Sequence, residues 1–423
     1  MNFIYIFCTL ITKTATKIFF KKINIIGLEN ISDKKPLFIY GNHNNAFFDS
    51  MVVHFALNEN IYTLTRGDVF SSKLKNYLLS QFHILPIYRM QEGIENLHKN
   101  ADTFSTTTTL LKQNKKVIIF PEGNCIQEKN LRKFKKGMAR MAYSTEAETN
   151  FTLGLQLQPI AINYTKPSQF RSSYEIIIGK SIEVKKFEAD YLKNPNAAIN
   201  KMNDECEKKL SELVVIVKDK ENEHLHDLLC EIYSNNNHTK SRKFIADLVN
   251  NFEPNTLNQI KQNSEKYSKL LYKYGIRDWV VMENENGFGK ILFYTLILIL
   301  TSPMYLIGLL LNYLAFKTPY LIAKKMCKNI EFFTSINLVS GAFIWVISFI
   351  LYVILLSVII TNGFIFMLSV LMMPLGGLFA LWYWEKAKKI IGKFRWLKLT
   401  RNNKDIANEI IEMRNEIYQL SNV

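Results

Sequence analysis

The chain has 423 residues, a formal net charge of +16 and a pI near 9.4. That length exceeds what one compact core takes up, so two or three units are expected. The charge asks for an anionic partner, either nucleic acid or an anionic membrane surface. Residues 291–316 and 336–384 carry no charged side chain and are long enough to enter or cross a bilayer. A nucleic-acid protein has no use for them, so anionic membrane lipids are the expected partner and nucleic acid is not. The five cysteines, Cys8, Cys125, Cys206, Cys230 and Cys327, are odd in number and form no C-x-x-C pair. They predict neither a disulfide framework nor a zinc site, and they fit a reducing compartment.

In chain order, residues 1–22 are apolar at first and then basic, with Lys13, Lys17, Lys21 and Lys22 following the most apolar part. This predicts an uncleaved interfacial helix rather than a signal peptide. Residues 23–185 alternate short apolar runs with helical patterns. Strands are expected at 37–40, 61–65, 84–88, 117–120, 155–163 and 174–178, and helices near 46–57, 71–81, 100–113 and 137–145. The fold class is α/β, a layered domain.

Residues 186–288 are rich in Lys, Glu and Asn, with Leu210, Leu213, Val214 and Val217, then Leu257 and Ile260, at helical spacing. They read as a helical connector with a loop tip at Asn235-Asn236-Asn237. Residues 289–385 form an α-helical membrane region. Residues 386–423 form a basic, then polar, helical tail. Pro303 divides 291–316 into two arms, each short for a span. The expectation is therefore that 291–316 is re-entrant and 336–384 crosses twice. That keeps Lys317, Lys324, Lys325 and Lys328 on the same side as Lys386, Lys388, Lys389, Lys393 and Arg395.

Four segments of the α/β domain carry side chains suited to chemistry. First, Gly41-Asn42-His43 follows a buried strand, and Asp49 opens the next helix. His43 can serve as a general base and Asp49 as the acid that fixes its tautomer. Alternatively, Asn42 or Asp49 caps the helix and His43 is merely a satisfied polar residue. Second, Pro86-Ile87-Tyr88-Arg89 ends a strand on the same edge, and Arg89 can grip phosphate with its planar fork. Arg66, near the turn at Gly67, has a weaker claim. Third, Phe120-Pro121-Glu122-Gly123-Asn124 places Glu122 on a fixed loop. The basic run Leu131-Arg132-Lys133-Phe134-Lys135-Lys136-Gly137 follows it at a helix start, either holding phosphate or presenting a solvated face. Fourth, Gln158-Pro159-Ile160-Ala161-Ile162 is an apolar strand whose proline suggests an irregular or edge position.

The order N-H-x5-D, P-I-Y-R, F-P-E-G, Q-P-I-A-I resembles the four blocks of the phospholipid/glycerol acyltransferase family, of the PlsC type. Phe134-Lys135-Lys136-Gly137 is similar to the F-K-x-G that often follows the third block. The resemblance covers residues 30–185. Five residues separate His43 from Asp49 where four are usual in bacteria. In this the chain resembles the fungal glycerol-3-phosphate/dihydroxyacetone-phosphate acyltransferases and a related bacterial branch. The resemblance implies His43 as base, Asp49 as its orienter, and Arg89, Glu122 and Gly123 as binders of glycerol phosphate. Asn124-Cys125 stand where the family often has Thr-Arg, so Lys135 and Lys136 are expected to supply phosphate contacts.

The implied activity is a membrane-bound acyltransferase of phospholipid biosynthesis. It moves a fatty acyl group from an acyl thioester to a hydroxyl of glycerol-3-phosphate or 1-acyl-glycerol-3-phosphate. Acyl-CoA or acyl carrier protein would be the donor, with no cofactor and no metal. No Ser nucleophile elbow is present, in keeping with direct attack by the acceptor. If the source is bacterial, the expected location is the inner membrane, with the α/β domain on the cytoplasmic face. A non-catalytic lipid-binding protein that keeps the fold is the alternative.

Overall fold

The computed structural model describes residues 3–89, 93–236, 240–282 and 288–422. Two compact units are formed, Met1–Ile216 with Ile322–Val339, and Val217–Leu321 with Ser340–Val423.

The first unit is built on eight strands: β1 (Lys22–Ile26), β2 (Leu37–Gly41), β3 (Ile61–Arg66), β4 (Ile84–Ile87), β5 (Lys116–Ile119), β6 (Gln156–Tyr164), β7 (Ser173–Ile178) and β8 (Ile182–Glu183). Their order is β1-β7-β6-β2-β5-β3-β4, with β8 paired to β6. Strands β2, β3, β4 and β5 run parallel with their neighbours, and β6 also pairs parallel with β2. Among the described residues, only the pairings of β6 with β7 and β8 are antiparallel. The helices of this unit are α1 (Phe3–Phe19), α2 (Phe47–Leu57), α3 (Lys73–Gln81), α4 (Asn100–Lys112), α5 (Gly137–Ala147), α6 (Glu188–Lys193) and α7 (Pro195–Ser211).

Every residue of β2 is buried, because a parallel strand with helices on both sheet faces sees no water. Phe38 and Tyr40 enter one core, with Met138 and Tyr143 of α5 and Met202 of α7. Leu37 and Ile39 enter the other, with Phe19 of α1 and Phe48 and Val52 of α2. The result is the expected layered α/β domain, and all six expected strands are present. The unexpected β1 is an amphipathic, partly exposed edge strand.

Two sequence expectations are corrected and a third is narrowed. The α/β unit does not stop at residue 185. Ala198, Met202, Cys206 and Leu210 form one apolar stripe of α7 that covers the sheet, so the unit extends to Ile216. Of the two positions expected for Pro159, irregular or edge, the structure shows the irregular one. This proline lies in central β6, where the antiparallel partner changes from β8 at Gln156 and Leu157 to β7 at Ile160, so its missing N–H falls between two ladders. Pro303 does not break the apolar run in which it lies, as described below.

The second unit contains α8 (Glu223–Asn235), α9 (Arg242–Asn251), α10 (Pro254–Tyr274), α11 (Asp278–Met282), α12 (Phe288–Met326), α13 (Phe333–Ile359), α14 (Gly363–Asn402) and α15 (Lys404–Leu420), although the end of α12 and the start of α13 group with the first unit. Leu229, Ile232, Val249, Ile260 and Tyr267 share a core with Trp396, Ala407, Ile410 and Ile417. The residues expected to be a basic, then polar, helical tail thus complete a helical core with the expected connector. Asp278 fixes it, accepting from Arg414 Nε at 2.8 Å, Tyr267 Oη at 2.6 Å and Asn235 Nδ2 at 2.7 Å. The predicted loop tip at residues 235–237 lies outside the described residues at Asn237.

Helices α12, α13 and α14 are long and apolar enough to cross a membrane, and their apolar side chains are mostly exposed. Proline leaves one carbonyl of its helix without a donor. Opposite Pro303 that carbonyl belongs to Ile299, and Ser302 Oγ donates to it at 2.8 Å. Helix α12 therefore continues through the proline. Asn312 ties the three helices together. Its Nδ2 donates to Met373 O at 2.9 Å, and its Oδ1 accepts from Trp345 Nε1 at 3.0 Å. Gly308 and Gly376 meet backbone to backbone beside it, leaving no room for a Cβ.

Candidate active site

The parallel strands end at one edge of the sheet, and that edge gathers the chemistry. Beyond β2, Asn42 does not cap α2. Its Nδ2 donates to Ile162 O at 2.9 Å and its Oδ1 accepts from Ile162 N at 2.8 Å, which extends the β2–β6 ladder with side-chain atoms. His43 is thereby held just past the strand. Its ring stacks on Phe120, with centroids 4.4 Å apart.

His43 Nδ1 lies 2.8 Å from Asp49 Oδ2. The five intervening residues bend back so that Asp49, in the first turn of α2, faces the ring. Asp49 is fully buried. Its Oδ2 also accepts from the backbone N–H of Asn44 at 2.9 Å and Asn45 at 2.8 Å. Its Oδ1 accepts from Tyr164 Oη at 2.8 Å. A carboxylate that accepts from this many donors is fixed in place. It takes the Nδ1 proton of His43 as a hydrogen bond, so Nε2 is the nitrogen free to accept a proton. This is the arrangement that a general base and its orienter require.

Tyr164 was not predicted as a site residue, being 115 positions from its partner on an apolar strand. Its hydroxyl is held well above the ordinary phenol range by burial and by Asp49, so it remains a donor. Tyr164→Phe removes one hydrogen bond to a buried charge, which is worth about 1.5–3 kcal/mol. We expect turnover to fall about tenfold or more while the folded protein persists; initial rates on membranes matched for protein content check this.

Glu122 is also buried and welds the third segment to the first. Its Oε1 accepts from His43 N at 2.7 Å, and its Oε2 pairs with Arg132 Nη2 at 2.7 Å. Arg132 Nη2 donates in addition to His43 O at 3.0 Å and Asn124 O at 3.1 Å. The guanidinium that Asn124-Cys125 leaves out is thus present, supplied by Arg132 of the basic run. Its Nε and Nη1 are buried donors without a hydrogen-bond partner among the described residues. Arg89 Nη1 donates to Gly123 O at 2.7 Å and Asn124 Oδ1 at 3.2 Å. Gly123 has φ +75°, which suits glycine, and an added Cβ would meet Lys135 Cγ at 3.2 Å.

The structure therefore brings His43, Asp49, Arg89, Glu122 and Gly123 into one hydrogen-bonded group, with Lys135 beside Gly123. Lys136 is exposed at the start of α5 and takes no part in the hydrogen bonds described. Arg66 pairs with Asp68 instead. Cys125 lies near the dyad, but its sulfur accepts from Ala46 N at 2.9 Å, and burial pushes the thiol up, so it remains a neutral acceptor.

Burial pushes the Glu122 carboxyl up to about 7, against the opposing pull of Arg132 and the two backbone N–H groups of His43 and Arg132. A raised acid holds its proton more tightly in the folded than in the unfolded chain. The stability it contributes is complete below its ordinary value of 4.5 and is lost as pH rises through about 7. Glu122→Gln should flatten that dependence. Melting temperatures measured from about pH 4 to 8 should fall less in the variant than in the wild type.

Residues 22–163 match the family model described as Acyltransferase. Among curated proteins, the chain is 27% identical over 143 residues to the chloroplastic 1-acyl-sn-glycerol-3-phosphate acyltransferase LPAT1 of Arabidopsis thaliana. The match covers 34% of this chain and 36% of that protein, so the chain spans about a third of the length of the curated relative it matches. Among solved structures, it is similar to the 1-acyl-sn-glycerophosphate (LPA) acyltransferase PlsC from Thermotoga maritima, at 14% identity and a TM-score of 0.34. That likeness covers 49% of this chain and 79% of the other.

Proposed function

We propose that the acyltransferase-family domain of residues 22–163 transfers a fatty acyl group from a thioester to a hydroxyl of a glycerol phosphate. The observation that carries the reading is the His43–Asp49 pair beside Glu122, Arg132 and Arg89. His43 Nε2 takes the acceptor's hydroxyl proton as the oxygen attacks the thioester carbonyl. The tetrahedral adduct then re-forms the carbonyl as the C–S bond breaks, and the proton held on His43 passes to the departing sulfur. Asp49 and Tyr164 hold the ring in the right tautomer and stabilise the imidazolium between these steps. No covalent acyl-enzyme is needed, and no metal or cofactor enters the steps. Acyl-CoA or acyl carrier protein serves as donor.

Arg132 has two open donors and Arg89 adds a second guanidinium, so together they suit a phosphate. Lys135, beside Gly123, adds to the same field. The acceptor is glycerol-3-phosphate or its 1-acyl form. The named Arabidopsis relative supports the acylated acceptor, and the five-residue gap between His43 and Asp49 supports the unacylated one. The products enter phospholipid synthesis. A membrane lipid-binding role without catalysis has no use for a base held by a buried acid.

Arg89→Ala tests the acceptor assignment. The KM for the phosphorylated acceptor should rise about tenfold or more while that for the thioester stays near wild type. Equal changes in both would make Arg89 a structural residue.

A further inference from the structure

The connection between two apolar helices is built into the catalytic edge. Residues 322–339, from the end of α12 into the start of α13, belong to the α/β unit. Gln127 Nε2 donates to Ile330 O at 3.3 Å. Thr334 Oγ1 donates to Pro167 O at 2.9 Å, and Ser335 Oγ donates to Asn45 O at 3.3 Å. Both hydroxyls are fully buried, a costly placement unless they are bonded. Leu338 packs one turn further on, in the same core as Phe48 and Val52 of α2.

The peptide between Asn45 and Ala46 receives this contact, and it is pinned at both ends. Its carbonyl accepts from Ser335, as well as from Phe48 N, and its N–H donates to the sulfur of Cys125. Ala46 has φ +44° and ψ −136°, a conformation an alanine keeps only when its surroundings hold it. The residue before it, Asn45, donates its own N–H to Asp49 Oδ2 at 2.8 Å. The strained turn thus fixes the acid that orients His43. We infer that Ser335, with Thr334 beside it, is a positioning residue of the dyad: the connection following α12 clamps the turn at Asn45–Ala46, so that the base is aligned only while this connection is docked. The inference rests on the acyltransferase reading for its effect on rate, but not for its effect on the turn.

Three variants separate positioning from folding: Ser335→Ala, Thr334→Val, and Ser335→Thr, which keeps the hydroxyl. Ser335→Ala should lower kcat about tenfold with both KM values unchanged, and Ser335→Thr should recover most of the loss. A second readout needs no transfer activity. With Cys8, Cys230 and Cys327 replaced by Ser, alkylation is followed at Cys125, beside the turn, and at Cys206, fully buried in the sheet core. Ser335→Ala should speed alkylation of Cys125 several-fold and leave Cys206 unchanged. If Cys125 keeps its wild-type rate, or if Cys125 and Cys206 speed up together, the turn is not clamped by Ser335 and the inference is overturned. Wild-type protein that transfers no acyl group would overturn the acyltransferase reading instead, with the alkylation rates still deciding the clamp.

Discussion

His43→Ala should abolish acyl transfer, by about 10²–10⁴ in kcat, while the protein still accumulates in membranes. The geometry explains both halves of the expectation. The ring touches Asp49 and stacks on Phe120, but its side chain is partly exposed, so its loss opens no deep cavity. Asp49 keeps three donors without it, from Asn44, Asn45 and Tyr164. The folded state is thus expected to persist while the proton acceptor is gone. Asp49→Asn should cost a similar factor for a different reason. An amide at Oδ2 would face three N–H groups with an NH₂ or with a weaker acceptor, so the imidazole would lose its fixed tautomer. Initial rates with saturating substrates, normalised to membrane-bound protein, check both. Near-normal turnover in His43→Ala would remove it from the mechanism.

The second large effect is all-or-none and concerns how the apolar helices meet the bilayer. Val280 and Val281 precede α12, Trp396 and Leu399 end α14, and all four share one core. Both ends of the three-helix stretch therefore lie on one side, and the number of full crossings between them is even.

The contacts of α12 agree. It runs opposite to α14, with Leu298 against Tyr383 and Asn312 against Met373, and opposite to α13, with Pro319 against Gly341 and Asn312 against Trp345. Helices α13 and α14 are themselves joined by a short turn and run opposite to each other. Three straight helices with parallel axes cannot all oppose one another, so the three do not share one axis direction. We expect α12 to stay in the membrane without crossing it, and α13 and α14 to cross as a hairpin. Lys324 and Lys388 then share the face of the thioester donors, each basic side chain near anionic headgroups adding about 1 kcal/mol. On a cysteine-free background, neither Lys324→Cys nor Lys388→Cys should react with an impermeant thiol reagent until cells are opened. Labelling of Lys324→Cys from outside would make α12 a true span. Labelling of Lys388→Cys alone would break the hairpin.

Much of the α/β unit was legible in the sequence because its strands are buried on both faces and read as short apolar runs closed by Gly or Pro. Strand β1 was not, because Lys22–Ile26 is a half-exposed edge with no such run. Within the site, His43, Asp49, Glu122 and Arg89 were readable because each sits just beyond a strand or opens a helix, where local signals are strong. Arg132 was visible as charge only. Its selection over Lys135 and Lys136 follows from a loop that folds back on Glu122, which no local pattern encodes. Tyr164 and Ser335 were hidden for the same reason: each is an ordinary residue in an apolar stretch until the fold brings it to Asp49 or Asn45.

The most direct test of the central claim is acyl transfer by the purified, membrane-reconstituted protein. Labelled long-chain acyl-CoA and acyl carrier protein thioesters would be offered with glycerol-3-phosphate, 1-acyl-glycerol-3-phosphate and unphosphorylated glycerol, with His43→Ala as the blank. A labelled ester is expected on one or both phosphorylated acceptors, with little on glycerol and none above background from the blank. Absence of ester on either phosphorylated acceptor with both donors, or equal product from the blank, would contradict it.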